Sequence, residues 1–365
     1  MNFISTKSSS KSLKASARLP HQKHIALLLF LALCLIGLWL VNLSSGTVAI
    51  PVEALVQIFF SQEVATASWT KIFWKVRFPK AMAACLVGSA LSVAGLQLQT
   101  LFRNPLASPS VLGVTAGASV GVASVLLTTG AFNVGMLIKQ VGVSGNWLMI
   151  GAAFLGAFAV LLLILLVSLR IRDNVTLLIV GLMVANLTVA LVGIWQYFSN
   201  PTQIRTYVLW TFGSLSALTY SQVPILSVVV IAGLLLSLGI AKPLNVLLLG
   251  DQYAQSLGVN IKRIRLFIII ITSLLAGSIT AFCGPIGFVG IAVPHLVRVV
   301  FKTTNHYILI PACILVGASL LLLCDLVTQL PANDQVLPIN AITSLIGSPI
   351  VIWIILRQKF TRGIF

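Results

Sequence analysis

Ten apolar segments follow one another along this chain, and most of them are long enough to cross a lipid bilayer. A transmembrane helix needs about 20 apolar residues. Only 8% of the 365 residues are charged, whereas a soluble domain carries about 25%. The sequence therefore predicts an all-α polytopic membrane protein with about ten transmembrane helices. The segments cover approximately residues 25–41, 81–101, 111–128, 147–169, 175–195, 223–240, 266–282, 288–300, 308–327 and 342–355. The third, eighth and tenth are short.

The basic residues predict how these helices are oriented, because cytoplasmic connections carry an excess of Lys and Arg. With both termini in the cytoplasm, 17 of the 23 basic residues fall inside and the other 6 outside. We therefore expect residues 1–23 to form a basic cytoplasmic tail and residues 24–365 to form one transmembrane domain. The first segment is interpreted as an uncleaved anchor and not as a signal peptide. The net charge of +17 then reflects topology and contact with anionic lipid, not a nucleic-acid partner.

A stretch in the second segment recurs in the seventh. Residues 86–95 have the sequence Leu-Val-Gly-Ser-Ala-Leu-Ser-Val-Ala-Gly, and residues 275–284 have Leu-Ala-Gly-Ser-Ile-Thr-Ala-Phe-Cys-Gly. The same shift of 189 positions carries Pro105 onto Pro294. One alternative is a chance recurrence in an apolar chain. However, the copies begin in segments that cross in opposite directions, and many transporters are built from inverted repeats with interrupted helices. We predict an inverted internal repeat with halves at about 77–200 and 265–357.

Two motifs rich in proline and glycine follow the repeated stretches. Residues 103–109 have the sequence Arg-Asn-Pro-Leu-Ala-Ser-Pro, and residues 284–290 have Gly-Pro-Ile-Gly-Phe-Val-Gly. Proline lacks the backbone N–H and disfavours helix in the residue before it, so both motifs predict broken helices. We favour rigid turns that support packing over direct contact with substrate, although either is compatible with such backbone at membrane depth. The structural and pathway candidates are Arg103, Asn104, Pro105, Pro109, Gly284, Pro285, Gly287, Gly290, Pro294, His295 and Arg298.

The longest predicted cytoplasmic connection covers residues 242–265. Residues 244–257 have helical character, and Gly258 suits a C-terminal cap because glycine readily adopts positive φ. Asp251 suits the N-terminal cap of a second short helix that runs through Ala254 and Leu257. Taken alone, this connection is also compatible with an amphipathic segment at the membrane surface.

Four of the six outer basic residues lie together just before the second segment, at Lys71, Lys75, Arg77 and Lys80. The positive-inside rule disfavours such a cluster outside. One interpretation is a docking surface for an acidic partner. The other is that the side chains merely extend to the lipid headgroups from a helix end. The charges alone do not separate these interpretations.

Several separated motifs together point to a known family. They are residues 77–80 (Arg-Phe-Pro-Lys), 99–109, 210, 213–215, 249–251, 254, 257–259, 284–298, 306, 317–318, 325, 338 and 347–349. In their order and spacing, from about Arg77 to Pro349, the chain resembles the permease family of ATP-driven importers for iron–siderophore complexes, haem and vitamin B12. These are the type II ABC importers. The resemblance implies a transport subunit of the bacterial plasma (inner) membrane that is not itself an enzyme and binds no cofactor.

The resemblance also implies partners and roles. The expected partners are a pair of ATP-binding subunits that use ATP, a second permease subunit (identical or different), a soluble substrate-binding protein and membrane lipid. In the family, the region at 242–265 forms the coupling helices that contact the ATPase. The coupling candidates are therefore Gly250, Asp251, Ala254, Leu257 and Gly258. The opening motif supplies Arg77 and Lys80 as candidates for docking the binding protein.

The chain departs from the family pattern near the docking motif. Lys80 stands where arginine is usual, which keeps the charge but loses bidentate geometry. Gln329 replaces an arginine that often follows Asp325 by four residues, and Val336 and Asn340 replace the usual Glu and Gly. These departures concern the docking surface, or indicate a different permease partner that supplies the missing charges. They leave the predicted fold unchanged.

No Gly-x-x-x-x-Gly-Lys-Ser/Thr motif occurs in the sequence, so energy is expected from a partner or from an ion gradient. An ion-coupled secondary transporter is thus the rival class. Such carriers usually place acids within the membrane, and only Asp325 comes close here.

Two further predictions concern metal binding and the cargo. The five cysteines are scattered without a CxxC pair, and no second ligand lies near His295 in sequence, so we predict no disulfide and no metal site. Among the family's cargoes we expect a ferric siderophore, with haem and vitamin B12 as alternatives.

Single cysteines at the two ends test the predicted topology. In a variant without native cysteines, Lys14→Cys and Arg362→Cys should be protected from an impermeant thiol reagent in intact cells, because both ends are expected in the cytoplasm. Both should react once the cells are permeabilised. Labelling of either position from outside would overturn the topology.

Overall fold

The computed structural model describes residues 21–46, 50–60, 67–127, 145–170, 174–330 and 336–360. Across these ranges the chain is almost entirely helical, and they contain no strand. Residues 1–20 of the predicted basic tail lie outside the described residues, whereas residues 21–23 already belong to the first helix.

Fifteen α-helices occur in the described ranges. They are α1 (His21–Ser44), α2 (Val52–Phe59), α3 (Ala67–Ile72), α4 (Phe78–Phe102), α5 (Val114–Leu126), α6 (Gly145–Arg170), α7 (Asn174–Tyr197), α8 (Pro201–Thr211), α9 (Val223–Gly239), α10 (Ala241–Leu247), α11 (Asp251–Ser256), α12 (Ile261–Cys283), α13 (Val289–Phe301), α14 (His306–Thr328) and α15 (Ile339–Phe360). A π-helical turn, Phe73–Arg77, joins α3 to α4, and a 3₁₀ turn, Leu215–Ala217, precedes α9.

The helices confirm the predicted membrane architecture. Of the described helices, six are long and apolar enough to cross a bilayer, and a seventh span forms if α9 and α10, bent by 52°, are taken together. Three shorter apolar helices, Val114–Leu126, Val289–Phe301 and Ile339–Trp353, complete the ten predicted segments. The third and eighth segments are short as expected, with 13 residues each. The tenth apolar stretch, Ile339–Trp353, is also short as expected, although its helix α15 continues to Phe360.

Helix α4 lies at the centre of the bundle. It is buried without interruption from Leu86 to Phe102, and it packs against α9, α12, α13 and α14. In contrast, α7 exposes large apolar side chains such as Leu187 and Val189. An apolar helix buried all round must be enclosed by other helices, whereas an exposed apolar face suits lipid. Helix α4 is thus the most enclosed of the spanning helices in the described structure.

Glycines allow α4 to touch its neighbours backbone to backbone. A Cβ on Gly88 would overlap the carbonyl oxygen of Gly317 in α14, and one on Gly95 would overlap that of Gly290 in α13. The Ser92 hydroxyl adds a hydrogen bond across the first contact, donating to the Cys313 carbonyl at 2.7 Å. Small residues at such crossings are how membrane helices gain close packing.

The first half of the repeat contains a second crossing of this kind. Gly117 in α5 lies against Gly156 in α6, and Gly121 lies against Ala152. The spacing of four between Gly117 and Gly121 places both on one helix face. Small residues four apart on α5 thus allow the backbones of α5 and α6 to approach closely.

Alanine substitutions separate these crossings from ordinary glycines. We expect Gly88→Ala to destabilise the protein by about 1–3 kcal/mol, because overpacking forces the backbones apart. Gly193→Ala is the matched control, since no atom lies within 4 Å of a Cβ placed there in α7. It should be neutral or stabilising, because alanine favours helix over glycine by about 1 kcal/mol. Thermal unfolding in detergent measures both, and equal midpoints would contradict the packing assignment.

Candidate functional site

The bundle has two ends that carry candidate residues. We call the end where α4 finishes and α10 and α11 lie the coupling end, and the end where α1 finishes and α4 begins the distal end. Helix α4 has 25 residues, so it separates the two ends by about 37 Å at a rise of about 1.5 Å per residue.

At the coupling end, two short helices present an exposed surface. Gly250 (φ +108°) separates α10 from α11, and Gly258 (φ +79°) follows α11. The Val259 N–H donates to the Ala254 carbonyl at 3.0 Å, which confirms the predicted cap at Gly258. Ala254 is buried, whereas Leu257 is 63% exposed. Leu249 and Tyr253 are also exposed, and together these side chains form an apolar surface of the type that partners bind.

Asp251 does not cap α11, and that prediction was wrong. The cap position is Gly250, and the first residue of the helix is Asp251 itself. Its Oδ1 accepts a hydrogen bond from Arg103 Nη2 at 2.7 Å, and the same Arg103 nitrogen donates to the Leu247 carbonyl at 3.2 Å. A guanidinium is a stronger donor than the helix N–H groups. The exposed ion pair is worth only about 0–1 kcal/mol, so it mainly positions the coupling segment beneath α4.

The motif after α4 is a series of turns, as predicted. Arg103 has left-handed geometry (φ 48°) at the end of the helix. The Asn104 side-chain oxygen then accepts from the Leu106 N–H at 2.9 Å. Pro105 lies within these turns, and the ring of Pro109 lies beside Gly290 of the second motif. The two predicted interruptions therefore meet inside the protein.

The motif after α12 is extended, also as predicted. Residues 284–288 are not helical, and Gly284 has φ +75° where its backbone approaches the Trp210 carbonyl. The side-chain oxygen of Asn340 accepts a hydrogen bond from the Gly287 N–H at 3.0 Å. Asn340, which stands where the family usually has glycine, thus supplies a hydrogen-bond partner to the non-helical stretch. Pro285 lies inside the extended stretch.

Pro294 behaves differently from its counterpart Pro105. It lies inside α13 and does not end the helix. Because proline has no N–H, the Gly290 carbonyl four residues earlier loses its helical donor. Gln99 of α4 supplies a donor instead, with Nε2 at 3.2 Å from the Gly290 oxygen and 3.3 Å from the Ile291 oxygen. A side chain from the other predicted half therefore supplies the missing donor, and α13 continues through Pro294.

Gln99 also belongs to a buried polar group that sequence reasoning did not identify. Arg298 Nη1 donates to Gln99 Oε1 at 2.6 Å. On the next residue, the Thr100 hydroxyl lies 2.9 Å from Nε2 of His306. The Asn245 side-chain oxygen lies 2.8 Å from both the backbone nitrogen and Nδ1 of His306. This group links α4, α10, α13 and α14 at the coupling end, and these helices are too far apart in sequence for their residues to form a motif.

His295 takes no part in these contacts, because its Nδ1 is buried without a hydrogen-bond partner. Among the residues that the structure describes, no group of three His, Cys, Asp or Glu is arranged to hold a metal ion.

At the distal end, the two docking candidates contact their own chain. Arg77 is buried, and its Nη1 donates to the carbonyls of Leu43 and Ser44, at 2.7 and 2.8 Å, where α1 ends. Lys80 Nζ lies 2.9 Å from Oδ1 of Asp325 in α14. Neither side chain extends outward to headgroups, whereas Lys71 and Lys75 of the predicted cluster are exposed.

Asp325 is the centre of the distal contacts. Its Oδ2 accepts hydrogen bonds from Asn42 Nδ2 at 2.9 Å and from Gln329 Nε2 at 3.0 Å. Gln329, which replaces an arginine in the family pattern, thus supports the carboxylate that holds Lys80. Asn42, Lys80 and Asp325 come from three helices, α1, α4 and α14, and Gln329 directly follows α14. We call Asn42, Lys80, Asp325 and Gln329 the distal cluster.

Six or seven described helices of spanning length, two interruptions that meet inside the protein and an exposed helix pair at one end are typical of a membrane permease. Comparison with known proteins gives the family. The FecCD transport family matches residues 33–357, and the chain belongs to this family. It is thus a multi-pass permease subunit of the type II ABC importer class.

Named relatives and a solved structure support this assignment. The chain is 34% identical to the hemin transport system permease protein HmuU of Yersinia pestis, over 92% of this chain and 96% of the relative. It is 35% identical to the vitamin B12 import system permease protein BtuC of Vibrio cholerae, over 79% and 83%. A metal-chelate type ABC transporter in an inward-facing conformation matches with a TM-score of 0.78 and 28% identity, covering 91% of this chain and 99% of that one.

Two glutamines in α4 test the buried polar group. Gln99→Leu should destabilise the protein by about 1.5–3 kcal/mol, because Arg298 would lose its buried acceptor. Gln97→Leu is the matched control, since Gln97 is fully buried and both its amide atoms lack a hydrogen-bond partner. That change should be neutral or stabilising. Thermal unfolding of the two variants measures the difference, and a larger loss for Gln97→Leu would refute the assignment.

Proposed function

We propose that this chain is the permease subunit that moves an iron chelate from a soluble binding protein into the cytoplasm, driven by separate ATP-hydrolysing subunits. The observation that carries the proposal is the exposed helix pair α10–α11 at the coupling end. Its apolar side chains face outward, while Arg103 ties it to the end of the central helix. A partner that moves this pair would therefore act directly on α4.

The proposed cargo is a ferric siderophore, with haem and vitamin B12 as the alternatives. The relatives named above are a hemin permease and a vitamin B12 permease, and the structural neighbour is a metal-chelate transporter. All these cargoes are metal ions enclosed in an organic ligand. Uptake of labelled ferric siderophore, hemin and cobalamin by one reconstituted system distinguishes them.

The proposed complex contains two ATP-binding subunits, a second permease subunit of the same or a different kind, and a soluble binding protein, all at the bacterial inner membrane. This chain binds no cofactor in the proposal, and ATP is used by the partner. Both termini are placed in the cytoplasm, on the 17-to-6 division of the basic residues. The coupling end then faces the cytoplasm and the distal end faces the binding protein.

On this orientation, the docking surface for the binding protein lies at the distal end. Lys71 and Lys75 are exposed there, one helical turn apart, and suit an acidic protein surface. Arg77 and Lys80, the candidates from the family pattern, are adjacent, although their charges contact Leu43, Ser44 and Asp325 in this structure.

The rival proposal, an ion-coupled carrier, depends on Asp325. In such a carrier, the carboxylate would bind the transported ion directly. Asp325 instead has an ion pair with Lys80 and hydrogen bonds from two amide side chains. Both carboxylate oxygens are thus engaged by donors of the same chain, which favours the ATP-driven class.

Transport assays in vesicles that contain the permease, ATPase subunits and binding protein test the proposal. Uptake should require ATP inside and should be inhibited by vanadate, whereas an ion-coupled carrier would respond to collapse of the gradient. Asp251→Ala combined with Gly258→Phe should leave the permease folded but uncouple ATP hydrolysis from uptake, because both positions lie on the α10–α11 surface. Gly239→Ala is the control, since a Cβ there meets no atom within 4 Å. An unchanged ratio of transport to hydrolysis in the double variant would refute the coupling role.

A further inference from the structure

We propose that Asp325 acts as an internal competitor for the binding protein: it pairs with Lys80 in the free permease and is replaced by a partner carboxylate on docking. This inference rests on the proposed function, because it assigns a role to Lys80 within the proposed docking surface. It differs from a simple docking role, since the cation becomes available only by exchange.

The geometry of the pair carries the first step of the argument. The Lys80 ammonium contacts one oxygen of Asp325 at 2.9 Å, and the side chains are 13% and 2% exposed. The lysine therefore lies at the edge of the protein, whereas the carboxylate is enclosed. A lysine is a point charge on a flexible stem of four carbons. It can turn outward without moving its helix, whereas Asp325 cannot follow it.

The rest of the distal cluster makes the exchange feasible. Asp325 Oδ2 keeps the donors Asn42 Nδ2 and Gln329 Nε2 when the lysine leaves. The carboxylate is then still hydrogen-bonded, which limits the cost of losing its counter-ion. Leaving a buried charge without its partner is costly, so these remaining donors and the new pairing of Lys80 must together offset that cost. A second carboxylate brought close by docking is therefore able to compete with the first.

The exposed lysines attract the acidic surface of the partner, which carries that second carboxylate. Lys71 and Lys75 lie on α3 and on the π-helical turn that leads directly into α4. The turn is held by aromatic contacts, with the Trp74 ring 5.3 Å from that of Phe78 and 6.0 Å from that of Tyr220. Because this turn is held in place, an acidic surface that binds the two exposed lysines lies within about two helical turns of Lys80.

The exchange would also change the contacts of three helices at once. The distal cluster joins α1 through Asn42, α4 through Lys80 and α14 through Asp325. Arg77, one turn from Lys80, contacts the last carbonyls of α1. Removing the lysine from this cluster loosens α4 from α14 at the end where the cargo is delivered. Docking and movement of the helices are thus linked through one ion pair.

The alternative is a fixed structural ion pair, and the two interpretations differ in the sign of one effect. If Asp325 competes, Asp325→Asn frees Lys80 and raises the affinity for the binding protein. The gain is about tenfold if Lys80 is paired about nine-tenths of the time, because apparent affinity scales with the competent fraction. If the pair is only structural, the same change leaves the affinity unchanged or lowers it.

The experiment measures binding by the permease–ATPase complex in nanodiscs, with the binding protein that supports uptake in the vesicle assay as the probe. Asp325→Asn should bind more tightly, and adding Lys80→Met should abolish the gain. In the permease alone, an amine-reactive reagent should acylate Lys80 more slowly than Lys75, and Asp325→Asn should remove the difference. Equal acylation of Lys80 and Lys75 in the unmodified protein would overturn the proposal, as would unchanged or weaker binding by a folded Asp325→Asn.

A charge exchange keeps the test valid if Asp325→Asn does not fold. The variant Lys80→Asp with Asp325→Lys retains an ion pair, so it should remain folded, but its cation belongs to α14. Competition predicts weaker binding of the binding protein, whereas a structural pair predicts normal binding, which would overturn the proposal. Lys71→Met with Lys75→Met tests the docking surface separately. If that variant binds normally, the proposed docking surface fails, whatever Asp325 does.

Discussion

The position of α4 depends on direct backbone contact with its neighbours. In a bilayer, helices gain little from the hydrophobic effect, so close packing and hydrogen bonds hold them together. Gly88 and Gly95 provide the contacts with α14 and α13, and the Ser92 hydroxyl bridges the first of them. Because α4 is fixed along its length, Lys80 at one end and Arg103 at the other keep a constant separation. A movement at either end is therefore transmitted by a rigid element.

Interrupted helices at membrane depth require substitute hydrogen-bond partners, because no water is available there. In this protein those partners are side chains from distant parts of the chain. Gln99 donates to the Gly290 carbonyl, which Pro294 leaves without a helical donor, and Asn340 accepts from the Gly287 N–H in the second motif. Arg298 in turn fixes the orientation of the Gln99 amide. The interruptions are thus stabilised structures and not weak points of the fold.

Local sequence features predicted those parts of the structure that depend on the hydropathy or backbone preferences of neighbouring residues. Hydropathy located the ten segments to within a few residues, and glycine and proline located the interruptions after α4 and α12. The short helices α2 and α8 were not predicted, because they lie between the apolar segments. Pairings across the chain were also missed. Arg103 and Asp251 are separated by 148 positions, and the contact of Lys80 with Asp325 likewise depends on how three helices meet. Such contacts leave no periodicity or motif in the sequence.

The contact between Gln99 and Arg298 joins the two predicted halves of the repeat asymmetrically. Under the shift of 189 positions that relates them, the counterparts of these residues are Phe288 and Pro109. Those two side chains carry no polar group, so the symmetry-related hydrogen bond cannot exist. Gln99 in the first predicted half donates a hydrogen bond to the backbone of the second half, and its counterpart Phe288 makes no equivalent bond to the first half. A chain made of two identical copies of either predicted half would therefore lack this bond.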